Sequence, residues 1–101
     1  EIALLGETLT CADAERMGLI NRTVSADKID AEVSLLAERL ASGPTIAYGA
    51  MKRLLRTSFD NDLPGQLAHE VAAFVQCAGT CDFRIGIESF YGKYPAQFKG
   101  N

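Results

Sequence analysis

The chain has no tryptophan, a single histidine, and no apolar run approaching the ~18 residues that a membrane span requires. Its 101 residues are 48% hydrophobic and 23% charged, which is the composition of one ordinary globular domain. The net charge of −3 argues against a general affinity for nucleic acid, because neutralisation of phosphates dominates such binding. We therefore expect a small domain that binds neither nucleic acid nor membrane.

Common catalytic motifs are absent as well. The sequence contains no G-x-S-x-G, H-E-x-x-H, Walker loop, G-x-G-x-x-G or C-x-x-C. Its glutamates are scattered over predicted amphipathic helices, where a solvated or ion-paired carboxylate is the usual interpretation, and no paired acid and base stands out. The residues alone predict a helical packing and association module, with no catalytic residue and no metal ligands.

The three cysteines, Cys11, Cys77 and Cys81, form an odd set. Without a secretory context, an odd number predicts reduced thiols and a cytoplasmic location. Cys77 and Cys81 have the spacing of half a metal site, but the chain offers no second pair of ligands. We interpret the cysteines as buried apolar residues, and His69 as a surface or half-buried residue of its helix.

Apolar residues at helical spacing predict a mainly α chain. Helices are expected over residues 11–17, 28–41, 45–58, 63–79 and 82–91. Thr10, Asp62 and Asp82 are expected to cap three of them, and Gly92 is expected to stop the last. Residues 19–24 are the one strand candidate, because they are apolar and β-branched in an extended pattern.

The first five residues have helical character but follow neither a cap nor an initiator methionine. We interpret them as the end of a helix that begins upstream. The sequence is therefore expected to be part of a longer protein.

Large apolar side chains are concentrated late in the chain. Six of the eight aromatic residues follow position 73: Phe74, Phe83, Phe90, Tyr91, Tyr94 and Phe98. An apolar surface of this kind predicts binding to a partner subunit or to an extended ligand, unless the rings pack on the chain's own helices.

The predicted helix over residues 45–58 has two different faces. Its buried face is expected to comprise Ile46, Ala50, Met51, Leu54 and Leu55. Its basic face comprises Lys52, Arg53 and Arg56, for which contact with solvent is the default interpretation. Contact of Lys52 or Arg53 with a phosphate is the alternative.

Three passages resemble, in the same order and spacing, those of one known family. Residues 4–24 read LLGETLTCADAERMGLINRTV, which is similar to L-T-G, a short A-x-x-A helix and G-L-V-N-x-V-V. Residues 43–52 read GPTIAYGAMK, and residues 82–98 read DFRIGIESFYGKYPAQF, similar to D-x-x-E-G-x-x-A-F-x-x-K-x-P-x-F. This is the crotonase family of enoyl-CoA hydratases and isomerases, and the likeness covers essentially the whole chain.

The resemblance implies a fold and an assembly. Crotonase-family proteins have an N-terminal core of repeated β-β-α units, followed by a helical C-terminal region that builds trimers, often paired as hexamers. The chain resembles the second part only, with residues 1–24 as a core-proximal segment and residues 25–101 as the helical association region. We expect a mainly α fold, the C-terminal trimerisation region of the crotonase-like α/β superfold, with at most one short strand.

The resemblance also implies a function. A complete member adds water to an acyl-CoA thioester, eliminates it, or shifts a double bond through a stabilised enolate. The oxyanion-hole donors and catalytic carboxylates of the family lie in the core, so none is assigned here. Phe74 and Phe90 match aromatic positions of the acyl or pantetheine region, and Lys93 matches a lysine near the CoA adenine and phosphates. The thioester is the substrate, and no further cofactor is expected.

Two positions depart from the family pattern. Ile85 stands where a glutamate is usual, and Phe83 replaces a common polar residue. Both changes make the last helix more apolar, which favours burial at a subunit interface.

Two other interpretations remain open. One is a free-standing, non-catalytic helical association module derived from the family. The other is a small helical acyl-CoA carrier, which would need a denser basic cluster than Lys52, Arg53 and Lys93 provide.

Overall fold

The computed structural model describes all 101 residues and contains helices but no strand. The α-helices are Ile2–Leu5 (α1), Cys11–Arg16 (α2), Ile29–Ala41 (α3), Thr45–Thr57 (α4), Leu63–Ala78 (α5) and Cys81–Gly92 (α6). A 3₁₀ turn, Ala26–Lys28, precedes α3, and residues 93–101 follow α6 without regular structure. None of the helices combines the length and apolar character that a membrane crossing would take. The predicted mainly α fold is confirmed.

The chain divides into two compact units, Glu1–Ser34 and Leu35–Asn101. The boundary between them falls inside α3. The first unit contains α1 and α2, and the second contains α4, α5, α6 and the residues that follow them.

In the first unit, α2 begins with a reciprocal cap. The Thr10 hydroxyl oxygen accepts from the Asp13 N–H at 3.1 Å, and the same hydroxyl donates to the Asp13 carboxylate at 2.7 Å. The Arg16 guanidinium donates to the other carboxylate oxygen at 2.9 Å. The Thr10 bond, and after it the Arg16 bond, lowers the pKa of Asp13 below its ordinary value of 3.8. The predicted Thr10 cap is confirmed.

The prediction of a strand over residues 19–24 is wrong, since these residues form bends and irregular backbone. The Thr23 N–H donates to the Glu15 carboxylate at 2.9 Å. Because the chain contains no other strand, extended residues here have no hydrogen-bonded ladder to join. The helix before them ends at Arg16, and Gly18 follows in left-handed backbone with a φ of 76°.

In the second unit, α5 contacts both α4 and α6. Asp62 caps α5 as predicted, because its carboxylate accepts from the Gly65 N–H at 2.9 Å. Ala50 of α4, 3% exposed, is the only buried hydrophobic side chain. Met51 and Leu55 were also expected to be buried but remain exposed, since one neighbouring helix does not cover the whole apolar face of α4.

The start of α6 differs from the prediction. Thr80 caps it, because its hydroxyl oxygen accepts from the Phe83 N–H at 3.1 Å. The expected cap, Asp82, lies inside the first turn and accepts instead from the backbone N–H groups of Lys99 and Gly100. The Asp82 cap prediction is wrong because a threonine two residues earlier fills that position.

The end of α6 lies one residue later than predicted. Gly92 is its last helical residue, and Lys93 takes the left-handed conformation with a φ of 55°. The Tyr94 ring lies against Gly92 so closely that an added Cβ would clash with it. A larger residue at position 92 would therefore displace the Tyr94 ring, and the left-handed turn falls on Lys93.

The expectation of three buried cysteines is also wrong. Cys11 and Cys81 are exposed, and Cys77 is half-buried. Cys11 and Cys81 are the first residues of α2 and α6, and no other part of the chain covers their side chains. No group of three side chains that could hold a metal ion includes any of them.

Candidate functional site

A groove of about 520 Å³ runs between α4 and α5, and we call it the α4–α5 groove. Its apolar lining consists of Ala47, Ala50, Met51, Leu54, Leu55, Ala73, Phe74 and Cys77. Gln66 and Glu70 supply the polar lining, and the Gln66 amide donates to the Glu70 carboxylate at 3.1 Å. An apolar trough with few polar groups suits an apolar segment of a ligand or partner better than it suits an ion.

A second groove, of about 270 Å³, lies beside α6, and we call it the α6 groove. Its apolar lining includes Pro44, Ile46, Ala47, Phe83, Ile87 and Phe98. Thr80 and Asp82 contribute the polar part of the lining. Ala47 and Cys77 line both grooves, so the grooves adjoin at these two residues.

Phe74, the first of the predicted ligand-binding residues, lies on the α4–α5 groove. Its ring meets that of Phe83 edge to face, with the centroids 5.9 Å apart and an interplanar angle of 89°. Phe83 in turn lines the α6 groove. The aromatic pair therefore links the two grooves, while 63% of the Phe74 surface remains exposed.

Phe90 and Lys93, the other two predicted residues, lie together at the C-terminal end of α6. Phe90 is 78% exposed, and its ring meets Tyr91 edge to face at 5.6 Å. Lys93 is exposed and takes part in none of the three salt bridges. Phe74 forms its aromatic pair with Phe83 and not with Phe90. The ligand-binding roles of all three residues stay predictions.

The basic face of α4 forms a cleft of about 240 Å³. It is lined by Gly49, Lys52, Arg53 and Arg56. None of these cations forms a salt bridge, and no Asp or Glu occurs between Glu38 and Asp60. The Arg53 guanidinium donates to the Gln76 side-chain oxygen at 3.4 Å, which ties the cleft to α5. This geometry fits both the solvated face and the phosphate contact expected from the sequence.

His69 belongs to a polar network at the start of α5. The Asn61 amide nitrogen lies 3.1 Å from His69 Nδ1 and donates to the Gln66 side-chain oxygen at 3.0 Å. No carboxylate pairs with the ring, so the contacts describe a structural histidine that fixes the turn before α5.

The sequence interpretation missed several groove residues, above all Cys77, Phe83 and Phe98. Phe83 was expected to make the last helix more apolar and to favour a subunit interface. Nothing in the neighbouring sequence indicates that Phe98 lines the same groove. The nearest signal was the clustering of aromatic residues after position 73.

The sequence model of the family "Enoyl-CoA hydratase/isomerase" matches residues 1–101. A probable enoyl-CoA hydratase of Rhodobacter capsulatus is 34% identical over 99 residues, which are 98% of this chain and 38% of that protein. The 1,2-epoxyphenylacetyl-CoA isomerase of Escherichia coli is 32% identical over 100 residues, again 98% of this chain and 38% of the relative.

Solved structures share the fold. An enoyl-CoA hydratase from Polaromonas sp. JS666 matches with a TM-score of 0.85 and 29% identity, over 93% of this chain and 37% of that one. An enoyl-CoA hydratase subunit from Geobacillus kaustophilus matches with a TM-score of 0.85 and 28% identity, over 92% of this chain and 36% of that one.

These helices are those of the helical C-terminal region of the crotonase-like superfold. The chain belongs to the enoyl-CoA hydratase/isomerase family. The family resemblance inferred from the sequence is thereby confirmed. The chain spans 38% of the length of the two curated relatives named above.

Proposed function

We propose that this chain supplies a subunit interface and part of the acyl-CoA pocket of a cytoplasmic enoyl-CoA hydratase/isomerase-like protein. The complete protein would add water to an acyl-CoA thioester, eliminate it, or shift a double bond through a stabilised enolate. The observation that carries the proposal is the uncovered apolar surface of α4, α5 and α6. The three free thiols support the cytoplasmic location.

One face of α5 supports the interface. Its large apolar side chains, each more than half exposed, include Leu67, Val71, Phe74 and Val75. Their spacing of 4, 3 and 1 places them along one side of the helix. Burial of such a face stabilises an assembly by about 25 cal/mol per Å², so a contiguous apolar patch indicates a binding surface. We propose that further copies of this chain cover it, in a trimer or a hexamer.

The end of α6 supports a part in acyl-CoA binding. The exposed ring of Phe90 offers an apolar surface to the acyl or pantetheine portion. The unpaired ammonium of Lys93, three residues further on, attracts a phosphate as a point charge. Phe74 adds an accessible ring to the α4–α5 groove. The thioester is the substrate, and we propose no further cofactor.

The chemical step requires groups that the two grooves do not offer. Enolate stabilisation needs converging N–H donors, and proton transfer needs a positioned acid or base. Both grooves are mainly apolar, and each contains one carboxylate. That of Asp82 is bound to backbone amides, and that of Glu70 accepts from the Gln66 amide. We propose that other polypeptide supplies these groups, and we expect the 101 residues alone not to hydrate crotonyl-CoA above the buffer rate. Turnover that survives repurification would contradict this.

Sedimentation velocity tests the interface with a matched pair of variants, Leu67→Glu and Leu19→Glu. Leu67 lies on the proposed interface and Leu19 in the first unit, and their exposures are similar at 51% and 58%. We expect the unchanged chain and Leu19→Glu to associate as concentration rises, and Leu67→Glu to remain monomeric. A monomeric unchanged chain, or equal effects of the two substitutions, would contradict the interface.

Calorimetric titration with crotonyl-CoA tests the pocket. We expect saturable binding that Phe90→Ala weakens about 3- to 10-fold and Lys93→Gln about 2- to 5-fold. Phe59→Ala, which removes a 95% exposed ring elsewhere, and Lys28→Gln are the matched controls and should change nothing. Association without binding would support the alternative, a free-standing and non-catalytic association module.

A further inference from the structure

Asp82 is the only charged side chain that is buried, with 3% of its surface exposed, and it forms no salt bridge. Its two carboxylate oxygens accept from the backbone N–H groups of Lys99 at 2.7 Å and Gly100 at 2.9 Å. Its own N–H donates to the Asn101 carbonyl at 3.1 Å. A buried carboxylate without a cation depends on such donors. These bonds hold the last three residues against the first turn of α6.

The same segment is attached to α6 at its other end. The N–H groups of Lys93 and Tyr94 both donate to the Ser89 carbonyl, the second at 3.2 Å. Ser89 is 7% exposed, so this attachment is also shielded from water. Residues 93–101, which we call the C-terminal strap, therefore bond to both ends of one helix and have no regular structure of their own.

Between the attachments Phe98 packs on Gly86 of α6, and at the Asp82 attachment Gly100 lies close to Thr45 of α4. An added Cβ at Gly86 would lie 3.7 Å from Phe98 Cε1, and one at Gly100 would lie 2.9 Å from Thr45 Oγ1. Gly100 also has a φ of 76°, which L side chains rarely adopt. Phe98 forms part of the lining of the α6 groove. The strap is thus part of the α6 groove.

We propose that Asp82 is a positioning residue that latches the C-terminal strap as one unit, from Asn101 back to Lys93. Every backbone hydrogen bond of the strap lies at one of its two ends, and its middle is held by Phe98. Loss of the Asp82 bonds therefore withdraws Phe98 from the α6 groove and loosens the turn at Lys93. Only the ligand role of Lys93 rests on the proposed function; the latch does not.

Backbone amide exchange followed by NMR tests the latch in Asp82→Asn. The carboxamide keeps the shape of the side chain, but its NH₂ cannot accept, so at least one strap amide loses its partner. We expect the Lys99 and Gly100 amides to exchange at least about tenfold faster, with Lys93 and Tyr94 following them. Asp60→Asn, at an exposed aspartate, is the matched control and should change none of these rates.

Gly100→Ala provides a second variant that leaves the carboxylate in place. The new methyl group meets Thr45 and disfavours the left-handed backbone, so the same four amides should accelerate. Unchanged Lys99 and Gly100 exchange in Asp82→Asn would overturn the latch. Faster exchange at Lys99 and Gly100 without faster exchange at Lys93 and Tyr94 would overturn the proposal that the strap opens as one unit. If Asp82→Asn also accelerates the mid-helix amides of α5, the substitution has destabilised the whole unit. In that case the exchange rates of the four strap amides in Gly100→Ala decide whether the strap opens as one unit.

Calorimetry with crotonyl-CoA then connects the latch to Lys93. We expect Asp82→Asn to weaken binding ~2- to 5-fold, the same factor as Lys93→Gln, and Asp60→Asn to leave the affinity unchanged. Equal affinity in Asp82→Asn and the unchanged chain would overturn the positioning of Lys93. A chain that does not bind crotonyl-CoA at all would overturn the proposed pocket, while the exchange rates alone would still decide the latch.

Discussion

Two helices in different units begin in nearly the same way. Thr10 of α2 and Thr80 of α6 each accept from the N–H three residues later, at 3.1 Å in both cases. Each cap is followed by an aspartate, Asp13 or Asp82, in the first turn. Asp13 forms its hydrogen bonds within its own turn, whereas Asp82 is buried and bonds to residues 17 and 18 positions away.

The difference shows that an aspartate after a threonine cap can stabilise either its own helical turn or a contact with a segment distant in sequence. Exposed ion pairs contribute little because water competes for both partners. Hydrogen bonds to a buried charge contribute about 1.5 to 3 kcal/mol each, because their loss leaves a desolvated group without a partner. Substitution of the first-turn aspartate should therefore have a much larger effect in α6 than in α2.

The largest effect is expected for Asp82→Ala, which leaves both strap amides without their acceptor. We expect the free energy of unfolding of the Leu35–Asn101 unit to fall by about 3 to 5 kcal/mol. Urea unfolding followed by tyrosine fluorescence measures it, because all three tyrosines lie in this unit and the chain has no tryptophan. Asp60→Ala should change it by less than about 0.5 kcal/mol. A loss below about 1 kcal/mol at Asp82 would remove the contrast with Asp13.

Next come the two caps. Thr80→Ala is expected to destabilise its helix by about 1 to 2 kcal/mol and Thr10→Ala by about 0.5 to 1 kcal/mol. The Thr80 hydroxyl also donates to the Cys77 carbonyl at 2.7 Å, which joins the end of α5 to α6. Exchange of the capped amides, Phe83 and Asp13, measures both losses. Thr80→Ser keeps the hydroxyl and is the control; an equal loss in Thr80→Ser would rule out the cap as the cause.

A smaller effect is expected from acid. Because the pKa of Asp13 in the folded chain lies below 3.8, its ionised form contributes to α2 above that value. The contribution should disappear as the pH falls below about 3.8 through the folded pKa. An NMR titration of the Asp13 carboxyl carbon measures the midpoint. Arg16→Gln should raise it only partly, because the Thr10 bond is the larger cause. A midpoint at or above 3.8 would contradict the assignment.

The smallest effect is expected for Arg84→Gln on α6. The Arg84 and Glu88 side chains meet at 4.0 Å and are 72% and 60% exposed. We expect the free energy of unfolding to change by less than about 0.5 kcal/mol in the same tyrosine experiment. A loss above about 1 kcal/mol would contradict the small contribution expected of an exposed ion pair.

Local signals predicted α3, α4 and α5 well. Their ends differ from the expected ones by no more than one residue, because apolar periodicity, Pro44 and Asp62 all act over a few positions. The Thr10 cap was predicted for the same reason. Helix ends and caps that depend on residues close in sequence could therefore be predicted from the sequence.

Contacts distant in sequence could not be predicted in the same way. The bonds of Asp82 to Lys99 and Gly100, and the place of Phe98 beside Gly86, depend on the direction in which the chain returns. Burial of Met51 and Leu55 depends on what covers α4, which periodicity does not specify. Of the candidate site, Phe74, Phe90 and Lys93 came from the family resemblance, and their roles remain to be tested.

The position of Cys77 has a practical consequence. A single half-buried thiol borders both grooves, while Cys11 and Cys81 are exposed. In a double variant lacking the two exposed thiols, the alkylation rate of Cys77 becomes a reporter of occupancy. A nitroxide or fluorophore attached to Cys77 would sense an acyl chain or a neighbouring helix that enters either groove. The labelling leaves Phe74, Phe90 and Lys93 unchanged.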